Sequence, residues 1–417
     1  MNALLSVTSL LLSTALLLVG HGMQLTLLPL RATSNGMPET LIGLSASSYF
    51  LGFVLGCLFS SRMIAKVGHI RCFAVLTAAT ASALLCLELL DHWAPWLALR
   101  LITGIAMSGL YTVIESWINS RTTPSNRGRV LSIYTFITLA AMAIGQILIN
   151  VGAIESSTPF ILAVLFLTLA IVPIGLTSKM APVPVESNSA DFRLLYRRSQ
   201  SAFAGAVLSG LVTGSFWSMG AVFSSYYSES QVDVTWFMSV AIVGGALLQY
   251  PIGWLSDRID RRRVLILLCI GGSLSAVAVS MSAGETWHLA TVFLFGAMVM
   301  PIYAISLATA ADVALGEEFV VMGTSVLMLN AIGAAVAPLP LSQLMAIFGP
   351  PALFLTFAVM CGLFAIVFLL LARTPRVVSV DEQIPFTVAA PEVAPTSFEF
   401  DPRSAEHNSS TDSGALK

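Results

Sequence analysis

Long apolar stretches dominate this chain, and they limit what it can fold into more than any other feature. Each stretch is about twenty residues long, and as a helix rising about 1.5 Å per residue it would cross about 30 Å of hydrocarbon. We predict twelve membrane spans: 3–30, 41–61, 73–90, 95–118, 130–151, 159–178, 201–227, 235–255, 264–284, 288–310, 320–345 and 350–372. The sequence therefore predicts an all-α protein that crosses a membrane twelve times.

The basic residues lie almost entirely in alternate gaps between these spans. Eighteen of the twenty Lys and Arg residues fall in the even-numbered gaps and the C-terminal tail, and only Arg31 and Arg100 do not. Positively charged loops are retained on the cytoplasmic side of a membrane. We therefore predict that both termini are cytoplasmic.

Composition and charge exclude several other classes of protein. Hydrophobic residues make up 56% of the chain and charged residues 10%, which a water-soluble surface could not accommodate. The net charge of −2 gives no basis for a nucleic-acid partner. The five cysteines show no CxxC spacing, and Walker A, catalytic-triad and zinc patterns are missing, so we expect no metal, no cofactor and no enzymatic activity.

A weak internal repeat divides the chain into two halves. The loop after the second span contains Ala65-Lys66-Val67-Gly68-His69-Ile70-Arg71, and 192 residues later the loop after the eighth contains Asp257-Arg258-Ile259-Asp260-Arg261-Arg262-Arg263. A repeat that restarts after six spans in the same orientation predicts two parallel six-helix bundles that can rock about a central cavity. The predicted segments are an N-terminal bundle at 1–178, a cytoplasmic linker at 179–200, a C-terminal bundle at 201–372 and a disordered cytoplasmic tail at 373–417.

The second of these loops, with Gly253 ahead of it, resembles the signature loop of the major facilitator superfamily, and Arg100 followed by Gly104 resembles a second motif of that family. The resemblance covers about 1–372, and it is most specific to the bacterial YcaD-like transporters. It implies a monomeric protein with the major facilitator fold in the cell inner membrane. It also implies transport of a small-molecule substrate, but it does not identify that substrate.

In that family the signature loop latches the helix ends by ion pairs that break when the protein rocks. The residues that match it here are Gly68, Arg71, Gly253, Asp257, Arg258 and Arg261. The first copy has Ala65 in place of the acid, and Glu115 is a candidate replacement that would pair with Arg71 or Arg129. The alternative is a solvated charged turn that only sets topology, since exposed ion pairs contribute less than about 1 kcal/mol.

Ionisable groups inside spans are costly, so each one is a functional candidate. Arg100, Gly104, Ser108, Tyr111 and Glu115 share one face of the fourth span, which we expect to line the cavity. Arg100 is suited either to a substrate carboxylate or phosphate, or to a structural contact. Glu115 is a candidate proton carrier, with a structural ion pair as the alternative.

In the first span, His21 has a side chain that titrates near neutral pH, so it is a candidate for proton coupling. The alternative is a simple hydrogen bond to a neighbouring helix. The predicted substrate or cavity residues are His21, Gln24, Tyr49, Arg100, Tyr111, Trp217 and Asn330.

The sequence thus predicts a secondary active transporter that moves a small organic solute by alternating access, coupled to protons. Two alternatives remain open. One is an uncoupled facilitator, because His21, Glu115 and Asp312 are the only candidate proton carriers. The other is a membrane sensor or scaffold without transport, which the polar tail favours.

Overall fold

Helices are the only regular elements among the residues described by the structure, a computed structural model that covers 2–90, 92–121, 127–176, 190–228, 230–315, 318–373, 383, 384 and 386. The helices are α1 Asn2–Ser34, α2 Glu39–Val67, α3 His69–Leu89, α4 Trp93–Ser120, α5 Arg127–Leu148, α6 Thr158–Leu169, α7 Ile171–Gly175, α8 Phe192–Arg198, α9 Gln200–Ser225, α10 Gln231–Ser256, α11 Arg261–Ser282, α12 His288–Val299, α13 Pro301–Ala311, α14 Glu318–Val336, α15 Pro338–Phe348 and α16 Ala352–Leu371, with a short 3-10 helix at Ile149–Val151.

Within those ranges twelve helical segments are long and apolar enough to cross a membrane, as predicted. Three predicted spans are each divided into two helices: α6 with α7, α12 with α13, and α14 with α15. Pro301 and Pro338 begin the second helix of two of these pairs. Proline has no N–H to donate to the preceding turn, so it interrupts the helical hydrogen bonds without ending the span.

The two halves use the same helix pairings, which confirms the predicted two-bundle fold. In the N-terminal half α2 packs on α4 and α1 on α5, and in the C-terminal half α10 packs on α12 and α9 on α14. A Cβ on Gly52 would lie 2.1 Å from a carbonyl oxygen of α4, and one on Gly104 would lie 2.0 Å from a carbonyl oxygen of α2. Gly244 and Gly296, each 192 residues later, make the same approach between α10 and α12, at 2.2 and 2.1 Å. The repeat is therefore a repeat of close helix contacts.

We call the end of the molecule that holds Gly68 and Asp257 the basic end, and the other the opposite end. Hydrogen bonds join the two halves at the opposite end. The Asn150 amide donates to the Thr235 hydroxyl at 2.7 Å, and the Gln231 amide donates to the carbonyls of Ile149 and Gly152 at 2.9 and 3.1 Å.

A further contact at the opposite end links the phenol of Tyr226, which donates, to the carboxylate of Glu39. This hydrogen bond raises the pKa of Tyr226 to about 12, because ionising the phenol would break the bond.

The structure describes parts of the predicted linker and of the predicted tail. Inside the predicted linker 179–200, Phe192–Arg198 forms α8, with the Asp191 side chain accepting from the N–H of Leu194; residues 177–189 lie outside the described part. The disordered tail at 373–417 stays a prediction, but within it Ile384 and Phe386 pack against the C-terminal half, where their backbone N–H groups donate to Asp312 and Asp257. Gln383 lines a cavity at the same place. Residues 374–382, 385 and 387–417 lie outside the described residues.

Candidate functional site

Arg100 is the centre of the candidate site, because it is a buried cation of the N-terminal half in a cavity that Trp217 and Ser218 of the C-terminal half also line. Its side chain leaves α4 one turn from Gly104, where α4 touches α2, and its guanidinium carbon lies 4.3 Å from the centre of the Tyr49 ring. Arg100 is 8% exposed and Tyr49 is 3% exposed. The close packing of α2 and α4 thus places a buried guanidinium over an aromatic face that stabilises its charge.

His21 of α1 also contacts Tyr49. The two rings are stacked, with centroids 6.1 Å apart, and the His21 Nε2 atom lies 3.5 Å from the Tyr49 hydroxyl. His21, Tyr49 and Arg100 therefore form a row across α1, α2 and α4. The sequence named all three, but their adjacency depends on how the helices pack.

The C-terminal half supplies the facing wall. Trp217 of α9 lines two small cavities, one shared with Arg100 and Tyr49 and the other with Tyr49 and Asn330 of α14. Each cavity holds about 20 Å³, which is enough for about one water molecule. A larger solute enters this site only if the two halves move apart.

Two buried amides are available for polar recognition near this site. The Nδ2 atom of Asn330, which lines the second cavity, has no hydrogen-bond partner among the described residues. The same holds for both amide atoms of Gln24, which is 1% exposed. Unsatisfied buried amides are costly, and such groups in a binding site are satisfied by a ligand or by water.

In this conformation the rest of the predicted stripe on α4 packs inside the N-terminal half, and the expectation that the whole face lines the cavity stays a prediction. The Ser108 hydroxyl donates to the sulfur of Cys57 at 3.2 Å, and Tyr111, fully buried, contacts the edge of Phe53. Because α2 covers this face beyond Arg100, Tyr111 is absent from the residues that line either cavity.

Glu115 also lies inside the N-terminal half. Its carboxylate accepts a hydrogen bond of 3.0 Å from the hydroxyl of Tyr134 in α5, and the side chain is 2% exposed. Arg71, one of its predicted partners, is exposed at the basic end. The side chain of Arg129, the other, lies outside the described part of the chain.

The signature loop of the C-terminal half forms a compact ion-pair cluster. Arg261 is 1% exposed and lies 3.2 Å from an Asp257 oxygen and 3.3 Å from an Asp312 oxygen. Arg258 is exposed, and its guanidinium stacks at 3.6 Å on Trp254, which lies in the last turn of α10. Gly253 is buried one turn before Asp257.

The matching loop of the N-terminal half is sparser. Gly68 adopts a φ of +86° at the junction of α2 and α3, a conformation that glycine tolerates and other residues rarely adopt. A Cβ at that position would meet nothing within 4 Å, so backbone conformation rather than space requires the glycine.

Two residues that connect the elements of the site, Gln146 and Asp312, were not among the predicted site residues. The Gln146 amide donates to the Gly22 carbonyl at 2.8 Å, and its oxygen accepts from Thr26, so α5 is tied to α1 beside His21. Asp312 completes the Arg261 cluster, although the sequence suggested it only as a proton carrier. The sequence signal for a structural role of Asp312 was its position just beyond the end of an apolar span.

Comparison with known proteins agrees with this architecture. The family model described as Major Facilitator Superfamily matches residues 10–338 and 202–397. An MFS-type transporter, YcaD, of Escherichia coli O45:K1 (strain S88 / ExPEC) is 28% identical over 363 residues, covering 85% of this chain and 93% of that protein. An MFS-type transporter of Yersinia pestis (strain Pestoides F) is 28% identical over 359 residues, covering 84% and 91%.

Solved structures show the same fold at low sequence identity. The nucleoside transporter NupG has a TM-score of 0.75 at 14% identity, covering 90% of this chain and 100% of its own. The fucose:proton symporter FucP of E. coli, solved as a point variant, has a TM-score of 0.57 at 15% identity, covering 90% and 100%. With twelve spans in two repeated halves and a family model that matches most of its length, this chain belongs to the Major Facilitator Superfamily of membrane transporters.

Proposed function

We propose that this protein carries a small organic anion across the cell inner membrane by alternating access, together with a proton. The buried Arg100 guanidinium carries this proposal. Among the described residues no carboxylate pairs with it, and its aromatic neighbour Tyr49 is neutral. A cation in the membrane interior is costly unless something neutralises it, and a substrate carboxylate or phosphate would do so.

The rest of the site fits a small solute with an apolar part. Trp217 and Phe50 offer flat apolar surface beside Arg100, and Asn330 offers an amide. In this proposal Arg100 fixes the anionic group and Trp217 packs against the remainder. The affinity then depends on both halves, as alternating access requires, because the substrate must bridge them.

In this proposal the basic end faces the cytoplasm, which its many Lys and Arg residues support. The conformation described here, joined at the opposite end through Asn150, Gln231 and Glu39, is then the one closed toward the outside. A complete cycle requires a second conformation, in which these contacts open and the basic ends approach each other.

Proton coupling follows from the row formed by His21, Tyr49 and Arg100. A protonated His21 would place a second positive charge beside Tyr49 and close to Arg100. Two nearby cations repel, and an anion between the halves relieves that repulsion, so anion and proton each favour binding of the other. Glu115, hydrogen-bonded to Tyr134, is the second candidate on the proton's route.

The test uses purified protein in liposomes that contain a pH-sensitive dye. We would supply small carboxylates and phosphates, each with a neutral amide or alcohol analogue, to the wild type, to Arg100→Gln, and to Arg62→Gln as an exposed control. We expect uptake and internal acidification with an anion in the wild type and in the control, and neither in Arg100→Gln.

Each other outcome selects an alternative. Uptake without a pH change would show an uncoupled facilitator, and equal uptake of the neutral analogues would overturn the anion proposal. If none of the three proteins moves any solute, and both Arg100→Gln and a further variant, Glu115→Gln, fold normally, the membrane sensor or scaffold is favoured.

A further inference from the structure

A short piece of the C-terminal tail lies on the ion-pair cluster at the basic end of the C-terminal half. Ile384 and Phe386 are half-buried there, and the side chain of Gln383 lines a cavity of about 190 Å³ beside Arg261. Residues 374–382 connect this segment to the end of α16. We call Gln383, Ile384 and Phe386 the tail segment.

Charged side chains of the C-terminal half recognise the backbone of the tail segment. The N–H of Phe386 donates to both oxygens of Asp257, at 2.9 and 3.1 Å, and the N–H of Ile384 donates to Asp312 at 3.1 Å. The carbonyl of Ile384 accepts from the guanidinium of Arg261. These hydrogen bonds are charge-assisted, so they are stronger than bonds between neutral groups.

The side chains of the tail segment add apolar contacts. The ring of Phe386 lies directly on Gly253, where an added Cβ would be 2.1 Å from the Cδ1 atom of the ring. Ile384 packs against the apolar cluster that contains Tyr303 and Leu307. A peptide is therefore held by backbone hydrogen bonds and by two side chains that fit the surface, as in other extended peptide sites.

We propose that Gly253, Asp257, Arg261 and Asp312 form a docking site for the tail segment, and that the docked segment is a brake on closure of the basic end. The brake rests on the proposed transport cycle, whereas the docking does not. Both oxygens of Asp257 are occupied by Phe386, and Arg261 also binds the tail. A loop occupied in this way cannot latch onto the other half, so the tail must leave before the basic end closes.

Docking is tested first, without any transport assay. A spin label at Gln383→Cys reports the mobility of the tail. The test variant is Phe386→Ala, and its matched control is Phe398→Ala, which changes another phenylalanine of the same tail. We expect an immobilised label that is released by Phe386→Ala and not by Phe398→Ala. A label that is already mobile in the otherwise unchanged chain would overturn the docking site.

The brake is tested by the distance between the basic ends of the two halves. Spin labels at Val67→Cys and Leu315→Cys, both exposed, report this distance in the full chain and in a chain that ends at Arg373. We expect truncation to enlarge the population with a short distance about tenfold, which is the effect of losing one hydrogen bond to a charged group. Adding a peptide of residues 380–390 to the truncated chain should reverse this change.

The outcomes separate the two proposals. Identical distances in the full and truncated chains would overturn the brake, and a smaller short-distance population after truncation would mean that the tail promotes closure instead. If the docking and distance results hold while no anion is transported, the brake stands and the substrate proposal fails.

Discussion

Arg100 and Tyr49 have apolar counterparts in the other half of the molecule. The residues 192 positions later are Val292 and Ala241, which occupy the corresponding places on α12 and α10. The helices repeat, but the charge does not, so the fixed positive charge of the site belongs to the N-terminal half alone. A substrate anion would bind first to that half and then recruit the apolar wall around Trp217.

The aromatic ring beneath Arg100 makes a testable contribution to binding. Tyr49→Phe keeps the ring, whereas Tyr49→Leu removes it, and a desolvated cation–π contact contributes about 0.5–2 kcal/mol. We expect Tyr49→Leu to weaken anion binding by about 2- to 30-fold and Tyr49→Phe to change it by less than about twofold. Isothermal titration calorimetry measures both. Equal weakening in the two variants would show that the hydroxyl, and not the ring, carries the effect.

At the level of single residues, the sequence predicted much of the site. His21 and Arg100 stand out because ionisable residues inside apolar spans are rare. Tyr111 was predicted beside them because helical spacing gives a shared face, but spacing cannot say which neighbouring helix covers that face. Packing of α2 on α4 decides this, and it buries Tyr111 against Phe53.

The crossing of α2 and α4 is the element that positions the site. Both helices approach within van der Waals distance of each other's backbone at Gly52 and Gly104, next to Tyr49 and Arg100. Gly52 and Gly56 are small residues four positions apart, a spacing that predicts close packing against a neighbouring helix. The partner helix was not predictable from that pattern, since it depends on contacts between distant parts of the chain.

We predict that Gly104→Ala separates α2 from α4 and disturbs the site. The added methyl group would lie 2.0 Å from the Tyr49 carbonyl oxygen, and overpacking of this kind costs about 1–3 kcal/mol. Gly175→Ala is the matched control, because nothing lies within 4 Å of its added Cβ. Thermal unfolding in detergent should show a lower Tm for Gly104→Ala only, with weaker anion binding. A Tm equal to that of the control would contradict the tight crossing.

The whole molecule is held in its present conformation by polar contacts at the opposite end. Asn150, in the 3-10 helix after α5, bonds to Thr235 of α10. Gln231 at the start of α10 bonds to two carbonyls of the same 3-10 region, and Tyr226 reaches Glu39 at the start of α2. Sequence alone could not predict these pairs, because each joins residues of different halves that lie about 80 to 190 positions apart in the chain. The motif loops that the sequence identified lie at the basic end, where the tail segment occupies one of them.

These contacts predict how the opposite end opens. Gln231→Ala removes the hydrogen bonds to the carbonyls of Ile149 and Gly152, and each such bond contributes about 1 kcal/mol. We expect a cysteine at Ser45, which lines the Arg100 cavity, to react about tenfold faster with an impermeant thiol reagent added at the opposite end. Val232→Ala, an exposed neighbour of Gln231, is the control. If the two halves move as bodies about the central site, as the proposed alternating access requires, the same change should slow reagent access from the basic end. Faster access from both ends would instead indicate general loosening of the fold, and the alternating-access proposal would then lose this support.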